Sequence, residues 1–388
     1  MKLLHRARSL IMKYKVLRLL ILFLAVVQGE LLNEGKIHRY IVNRHQGSRG
    51  RVICHPPLIF ALQTLYQLSD GETRESLNGR WQWPPGEGIS GEWPKVQGFR
   101  TLLVKPIDIS DSAREAVRNV SDLEIMDFVN PGQRLFEINQ RVDFFTSPMT
   151  ARLVRKRHLS RHTQMISISA GVIEGRWKFP FSRKNTRDRP FFEQFGSNRE
   201  ERLVMVPTMH QVGVRYSYAQ LASTEMLLLP LAGNENVKFM ILLSSVLYCT
   251  VDLRPISFIM PTYENLTDLI KFGKEQLVEV QLPKLRFTYS VELVPHILDD
   301  MGFKSLYSEA ANFGRLSNTT KLRLSSMMHT AAIDIDEGGI NEVKQSYVKE
   351  KVHKQRRDNG VKFYANRPFF FAILDHRQVY LTGEYVGP

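Results

Sequence analysis

The sequence predicts a single large α+β domain, and three features carry that prediction. Residues 331–336 place Ala331, Ile333 and Ile335 in alternation with Ala332, Asp334 and Asp336, the period of two expected of a strand with one face in water. Further on, Phe369, Phe370, Phe371, Ala372, Ile373 and Leu374 form an unbroken apolar run, which fits a strand covered on both faces. Leu58, Ala61, Leu62 and Leu65 recur instead at helical spacing. No Pro/Gly/Ser linker or internal repeat divides the 388 residues, so one core is expected to serve them all.

At 43% hydrophobic and 24% charged residues, the composition is that of a globular protein. Lys13 and Lys15 precede an apolar run over residues 19–27, and Gln28 and Gly29 follow it before Glu30. That order describes a secretory signal over residues 1–29, too short to span a membrane comfortably, with residues 30–388 as the mature domain. Losing the signal removes six basic and no acidic side chains, which lowers the formal net charge from +14 to +8. A secreted, soluble monomer without a membrane span is expected. Cys54 and Cys249 are too few for a disulfide framework, and pairing and burial as thiols both stay open. Asn119, Asn265 and Asn318 each open an Asn-x-Ser/Thr acceptor, so glycosylation is expected.

Taken in order, residues 31–42 suggest a short helix, followed by a charged turn at Arg49, Gly50 and Arg51. The helix after Pro56 and Pro57 is expected to stop at Asp70 and Gly71. Trp81, Pro84, Pro85, Gly86, Gly88 and Gly91 mark a loop, and residues 99–104 a strand. Ile138, Val142 and Thr146 share a helical face, whereas residues 165–170, 227–230, 239–243 and 278–284 read as strands. Glu337, Gly338 and Gly339 then open a polar, basic segment, 344–358, with no apolar period, which is expected to be an exposed loop.

Several of these motifs together resemble the serpin family. Phe363, Tyr364, Ala365, Asn366, Arg367, Pro368 and the apolar run after them resemble its signature. His329 with residues 333–339 resembles its hinge approach. Met165 to Ala170 with Gly175 and Trp177, Val278 to Lys284, and Met301, Gly302 and Phe303 resemble further strands and turns in family order. The resemblance covers roughly nine tenths of the mature chain. It implies a large mixed sheet surrounded by helices, further smaller sheets and a reactive-type loop within residues 337–362. It also has departures. No serine lies between Cys54 and Leu58, where the family keeps its sheet-opening serines. Ser169 stands in place of Asn, and Arg141 in place of Trp. The helix that usually follows Trp81 and carries a glycosaminoglycan site looks deleted.

Enzyme chemistry finds no support in the sequence, which has no Gly-x-Ser-x-Gly elbow, His-Glu-x-x-His pair, Cys-x-x-Cys cluster or phosphate-binding glycine loop. His329 is read as a core histidine bonded to hydroxyls at the sheet centre, and no metal or cofactor is expected. Arg155, Lys156, Arg157 and Arg161 concentrate positive charge in one short segment. In a secreted chain sulfated glycans, rather than nucleic acid, are the polyanion such a segment would meet.

In inhibitory members of the family the cut loop enters the main sheet as an extra strand, so alternate hinge residues turn inward and must be small. Counting from Gly339 with period two, the inward residues here are Ile340, Glu342, Lys344 and Ser346. Two are charged, and Gly338 replaces the second hinge acid. The resemblance therefore implies a non-inhibitory serpin that works by binding a partner or ligand. The alternative is an inhibitor of trypsin-like serine proteases, with Lys354, Arg356 or Arg357 at the scissile bond.

Overall fold

The computed structural model describes residues 32–44, 50–81, 95–146, 153–195, 200–221, 224–244, 266–341 and 360–388. The expected signal, Cys249, Asn265, Glu342, Lys344, Lys354, Arg356 and Arg357 lie outside them. In chain order the strands are β1 (Gly50–Cys54), β2 (Lys95–Val104), β3 (Asp122–Ile125), β4 (Met165–Arg176), β5 (Arg187–Phe195), β6 (Glu200–Leu221), β7 (Thr224–Pro230) and β8 (Lys238–Ser244). They continue with β9 (Lys274–Pro283), β10 (Leu285–Glu292), β11 (Leu324–Ile335), β12 (Gly339–Ile340), β13 (Val361–Tyr364), β14 (Phe369–Leu374) and β15 (Val379–Tyr385).

Among the described residues these strands form two sheets. One runs β10-β11-β12-β4-β2-β3 and mixes parallel with antiparallel pairs. The other has nine strands, β1-β15-β14-β8-β7-β6-β9-β13, with β5 on β6. The smaller sheets expected from the sequence are thus joined into one hydrogen-bonded network. The 22-residue β6 makes the join. It pairs with β5 and then β7, and its register slips between Gln211 and Val214, where Gly213 takes φ 78°. A bulge with a left-handed residue bends a strand out of plane, and glycine takes that conformation without a Cβ clash.

The unbroken apolar run in β14 has a direct cause. Phe369, Phe371 and Ile373 enter the main core between the sheets, and Phe370, Ala372 and Leu374 enter a second cluster on the opposite face. β14 is hydrogen-bonded on both edges as well, to β8 and β15. A strand enclosed on four sides has no place for a polar side chain.

The helices pack around these sheets. α1 (Glu34–Arg44) buries Ile37 and Ile41. α2 (His55–Leu68) has Pro56 and Pro57 in its first turn, where a missing N–H costs nothing, and puts Leu58, Ala61, Leu62 and Leu65 in the main core. The helix stops at Leu68, just before Asp70 and Gly71, as the sequence suggests. Gly71, at φ 48°, turns the chain, the Asp70 carboxylate accepts its N–H at 3.0 Å, and a further helix α3 (Gly71–Asn78) begins there. α4 (Asp111–Val117), capped by the Ser110 hydroxyl, was not legible from spacing because it buries only Ala113 and Val117. α5 (Arg134–Thr146) lies on the six-stranded sheet, with Ile138 and Val142 packed over Phe99, Leu103, Ile166 and Ile168.

Candidate functional site

The hinge is a tight reversal at the end of β11. The Asp336 carboxylate accepts the N–H of Gly338 at 2.8 Å and of Gly339 at 3.3 Å, which folds the chain back on itself. β12 then slots between two strands, with Ile340 paired to Ile335 of β11 and to Gly175 of β4. Gly339 is needed for that fit, since a Cβ there would lie 2.1 Å from the Gly175 carbonyl oxygen. Ile340 is fully buried in the main core.

Glu337 anchors the turn. Burial alone would raise its carboxyl, but Lys284 (2.9 Å) and Thr186 (2.7 Å) donate to it and hold its pKa below the ordinary carboxylate value. Nearby, the Trp177 ring N–H donates to the Asp336 carbonyl at 2.9 Å and its backbone N–H to the Gly338 carbonyl at the same distance. The hinge turn is therefore tied to Trp177 just past β4, to Lys284 between β9 and β10, and to Thr186 just before β5.

The strand ends after two residues, and Asn341 is the reason. Its φ of 49° puts it in the left-handed region, which asparagine tolerates better than most residues and which turns the chain out of the sheet. Its side chain stays behind in the gap. Oδ1 accepts the Asp334 N–H at 2.7 Å, Nδ2 donates to the Ile173 carbonyl at 2.9 Å, and the backbone N–H donates to the Asp334 carbonyl at 2.7 Å. One amide thus takes the hydrogen-bonding positions on β11 and β4 that the next strand residue would use. The sequence reading missed this residue, although an asparagine two places after a glycine pair is a turn signal.

Below Asn341 the sheet is closed. β11 and β4 pair directly in parallel from Leu324 and Met165 to Ala331 and Gly171. His329 and Ser169 stand opposite each other there, and the ring spans the join: the Cys54 N–H donates to Nε2 at 3.2 Å and Nδ1 lies 2.9 Å from the Ser169 hydroxyl. Nε2 must accept, so Nδ1 carries the proton. Burial without a carboxylate partner pushes the His329 pKa down to about 3, and a ring held neutral with both nitrogens engaged suits structure better than proton transfer.

His55, where the sequence lacks the expected serine, is part of the same buried layer. Its Nε2 and the Nδ1 of His38 both lie 2.8 Å from the Thr382 hydroxyl, and Arg51 donates to Glu384 at 2.7 Å alongside. Burial, then His38 and His329, hold the His55 pKa well below the ordinary imidazole value. Cys54 is a free, buried thiol pushed upward by burial, packed with Pro57 so close to Gly171 that a Cβ there would meet the proline ring at 2.6 Å.

The basic segment is elsewhere on the molecule. Lys156–His158 is a single exposed 3-10 turn between α5 and β4, and Lys156, Arg157 and Arg161 form no salt bridge with any described residue. Burial, then the charges of Arg157 and Arg155, lower the His158 pKa. Asn119 and Asn318 are both exposed.

A large mixed sheet that takes up the start of the segment leading to its own loop is the defining feature of this fold and site. The family model described as Serpin (serine protease inhibitor) matches residues 106–388, and the chain belongs to the serpin family. Serine protease inhibitor A3L of Rattus norvegicus is 26% identical over 302 residues, 75% of this chain and 68% of that one. Corticosteroid-binding globulin of Saimiri sciureus is 26% identical over 213 residues, 55% of this chain and 48% of that one. The crystal structure of Serpin48 from the insect Tenebrio molitor is similar with a TM-score of 0.75 at 19% identity, covering 91% of this chain and 95% of that one.

Proposed function

We propose that this chain is a secreted, non-inhibitory serpin, cut within its basic loop without trapping the protease and acting by binding a partner. The observation that carries this reading is the hinge: β12 enters for two residues and Asn341 then occupies the gap. For the loop to advance, residue 341 must leave its left-handed conformation and surrender those hydrogen bonds. Continuing the same register would next set Glu342 between Ile333 and Ile173, both buried, and Lys344 between Ala331 and Gly171, where Cys54 and Pro57 already fill the space. Burying either charge unpaired costs several kcal/mol. Relatives named as an inhibitor and as a binding globulin are compatible with either behaviour.

The test is to mix the full chain with trypsin and follow both proteins on a denaturing gel. Cleavage after Lys354, Arg356 or Arg357 with free, active trypsin is expected. A protease complex that survives boiling in detergent would establish the inhibitory reading instead.

A further inference from the structure

β2 is ten residues long, but β3 pairs only with Thr101 to Val104, so Lys95 to Arg100 lie beyond the end of β3. A cleft of about 310 Å³ sits there, at the small end of ligand pockets, between the end of α4 and the side of α5. Arg100, Arg118 and Arg141 line it, with Asp122 as the single carboxylate. Two of these guanidinium groups are already held: Arg118 pairs with Glu115 at 3.2 Å, and Arg141 with Asp122 at 2.8 Å and Glu124 at 2.6 Å.

Arg100 is not. Its Nε is shielded from solvent with no hydrogen-bond partner, and no described carboxylate comes within salt-bridge distance of it. Its guanidinium carbon stands 5.0 Å over the Phe60 ring. Burial, only partly offset by the more distant Asp122 and Cys54, lowers its pKa. On the far side Phe99 and Phe145 stack at 6.3 Å, with the Arg141 guanidinium 4.4 Å over the Phe99 ring. A half-buried guanidinium without a carboxylate partner, its Nε unbonded, is an incomplete charge pair. Its planar fork matches the oxygens of a tetrahedral oxyanion better than it matches water.

We propose that this cleft binds a small molecule carrying a phosphate or sulfate monoester, gripped by Arg100 with Arg118 and Arg141 at its sides. The site stands apart from the hinge and does not depend on how the loop behaves. The experiment is calorimetric titration of the full chain, made without N-glycans so that Asn119 is bare, with inorganic phosphate and, separately, inorganic sulfate against chloride of equal ionic strength. Saturable binding of one or both is expected, and the tighter ion identifies the ester. Arg100→Gln should weaken it at least about tenfold, the scale of one charge-assisted bidentate contact, whereas Lys156→Ala should leave it unchanged. If Arg100→Gln does not fold, the exposed Arg118→Ala serves, with a loss of several-fold expected. No saturable binding beyond chloride, or equal binding by the folded variant, overturns the proposal.

Discussion

At the scale of single residues, two buried imidazoles favour the neutral form: His329 at the centre of the six-stranded sheet and His55 against Thr382 of β15. His329 and His55 are buried, and among the described residues neither ring hydrogen-bonds a carboxylate. Both have folded pKa values below the unfolded value of about 6.5. Below that pH the unfolded chain binds protons that the folded chain refuses. Stability from this source is therefore complete above about pH 6.5 and is lost as pH falls below it, down to about 3 for His329, by up to about 1.4 kcal/mol per pH unit for each histidine. Urea unfolding at pH 7.5 and pH 5 should show the lower midpoint at pH 5. His329→Gln should keep the fold's hydrogen-bonding capacity and shed one proton's share of the slope; an unchanged slope would show that carboxylates alone set it.

At the scale of elements, β12 depends on one amide. Asn341→Ala removes three side-chain hydrogen bonds, to Asp334, Ile173 and, at 3.4 Å, Ala332, the two shorter ones each worth about 1 kcal/mol net, while leaving a left-handed conformation that alanine tolerates poorly. The Asp334 amide, which donates to Asn341, should exchange with deuterium at least about tenfold faster in the variant. Equal exchange would mean that the Asp336 turn and the Trp177 contacts alone hold the hinge. The basic turn at Lys156–His158 can be tested separately. Replacing Arg155, Lys156 and Arg157 by Ala should lower the salt needed to elute the protein from a heparin column, because exposed charge pairs are screened by salt. Elution at the same salt would assign retention to other residues.

The whole molecule is where the two functional readings separate. An inhibitory serpin gains stability when its cut loop completes the sheet, and here that completion would break the direct pairing of β11 with β4, including the Ser169–His329 contact. Cleavage in the basic loop should therefore leave the melting temperature close to that of the intact chain. Replacing Ile340, Glu342 and Lys344 by Thr, Ala and Ala removes the bulk and both charges, so the cut variant is expected to melt higher than the cut wild type. A rise of tens of degrees in the cut wild type would mean that the loop enters despite its charges and despite Asn341.

Sequence alone determined the parts governed by local period and chain-neighbour chemistry. The enclosure of β14 was written in Phe369 to Leu374, and the helical face of α2 in Leu58, Ala61, Leu62 and Leu65. The inward direction of Ile340 followed from counting in twos, because a strand's side chains alternate whatever it pairs with. Tertiary structure alone decided where that strand stops. Asn341 is an ordinary polar residue until Asp334 and Ile173 stand on either side of it, and those two are 161 residues apart in the chain. His55 filling the serine's place was equally invisible, since its partner Thr382 lies 327 positions away. A hydrogen bond between distant segments leaves no periodicity to read, for its geometry exists only once the sheets have packed.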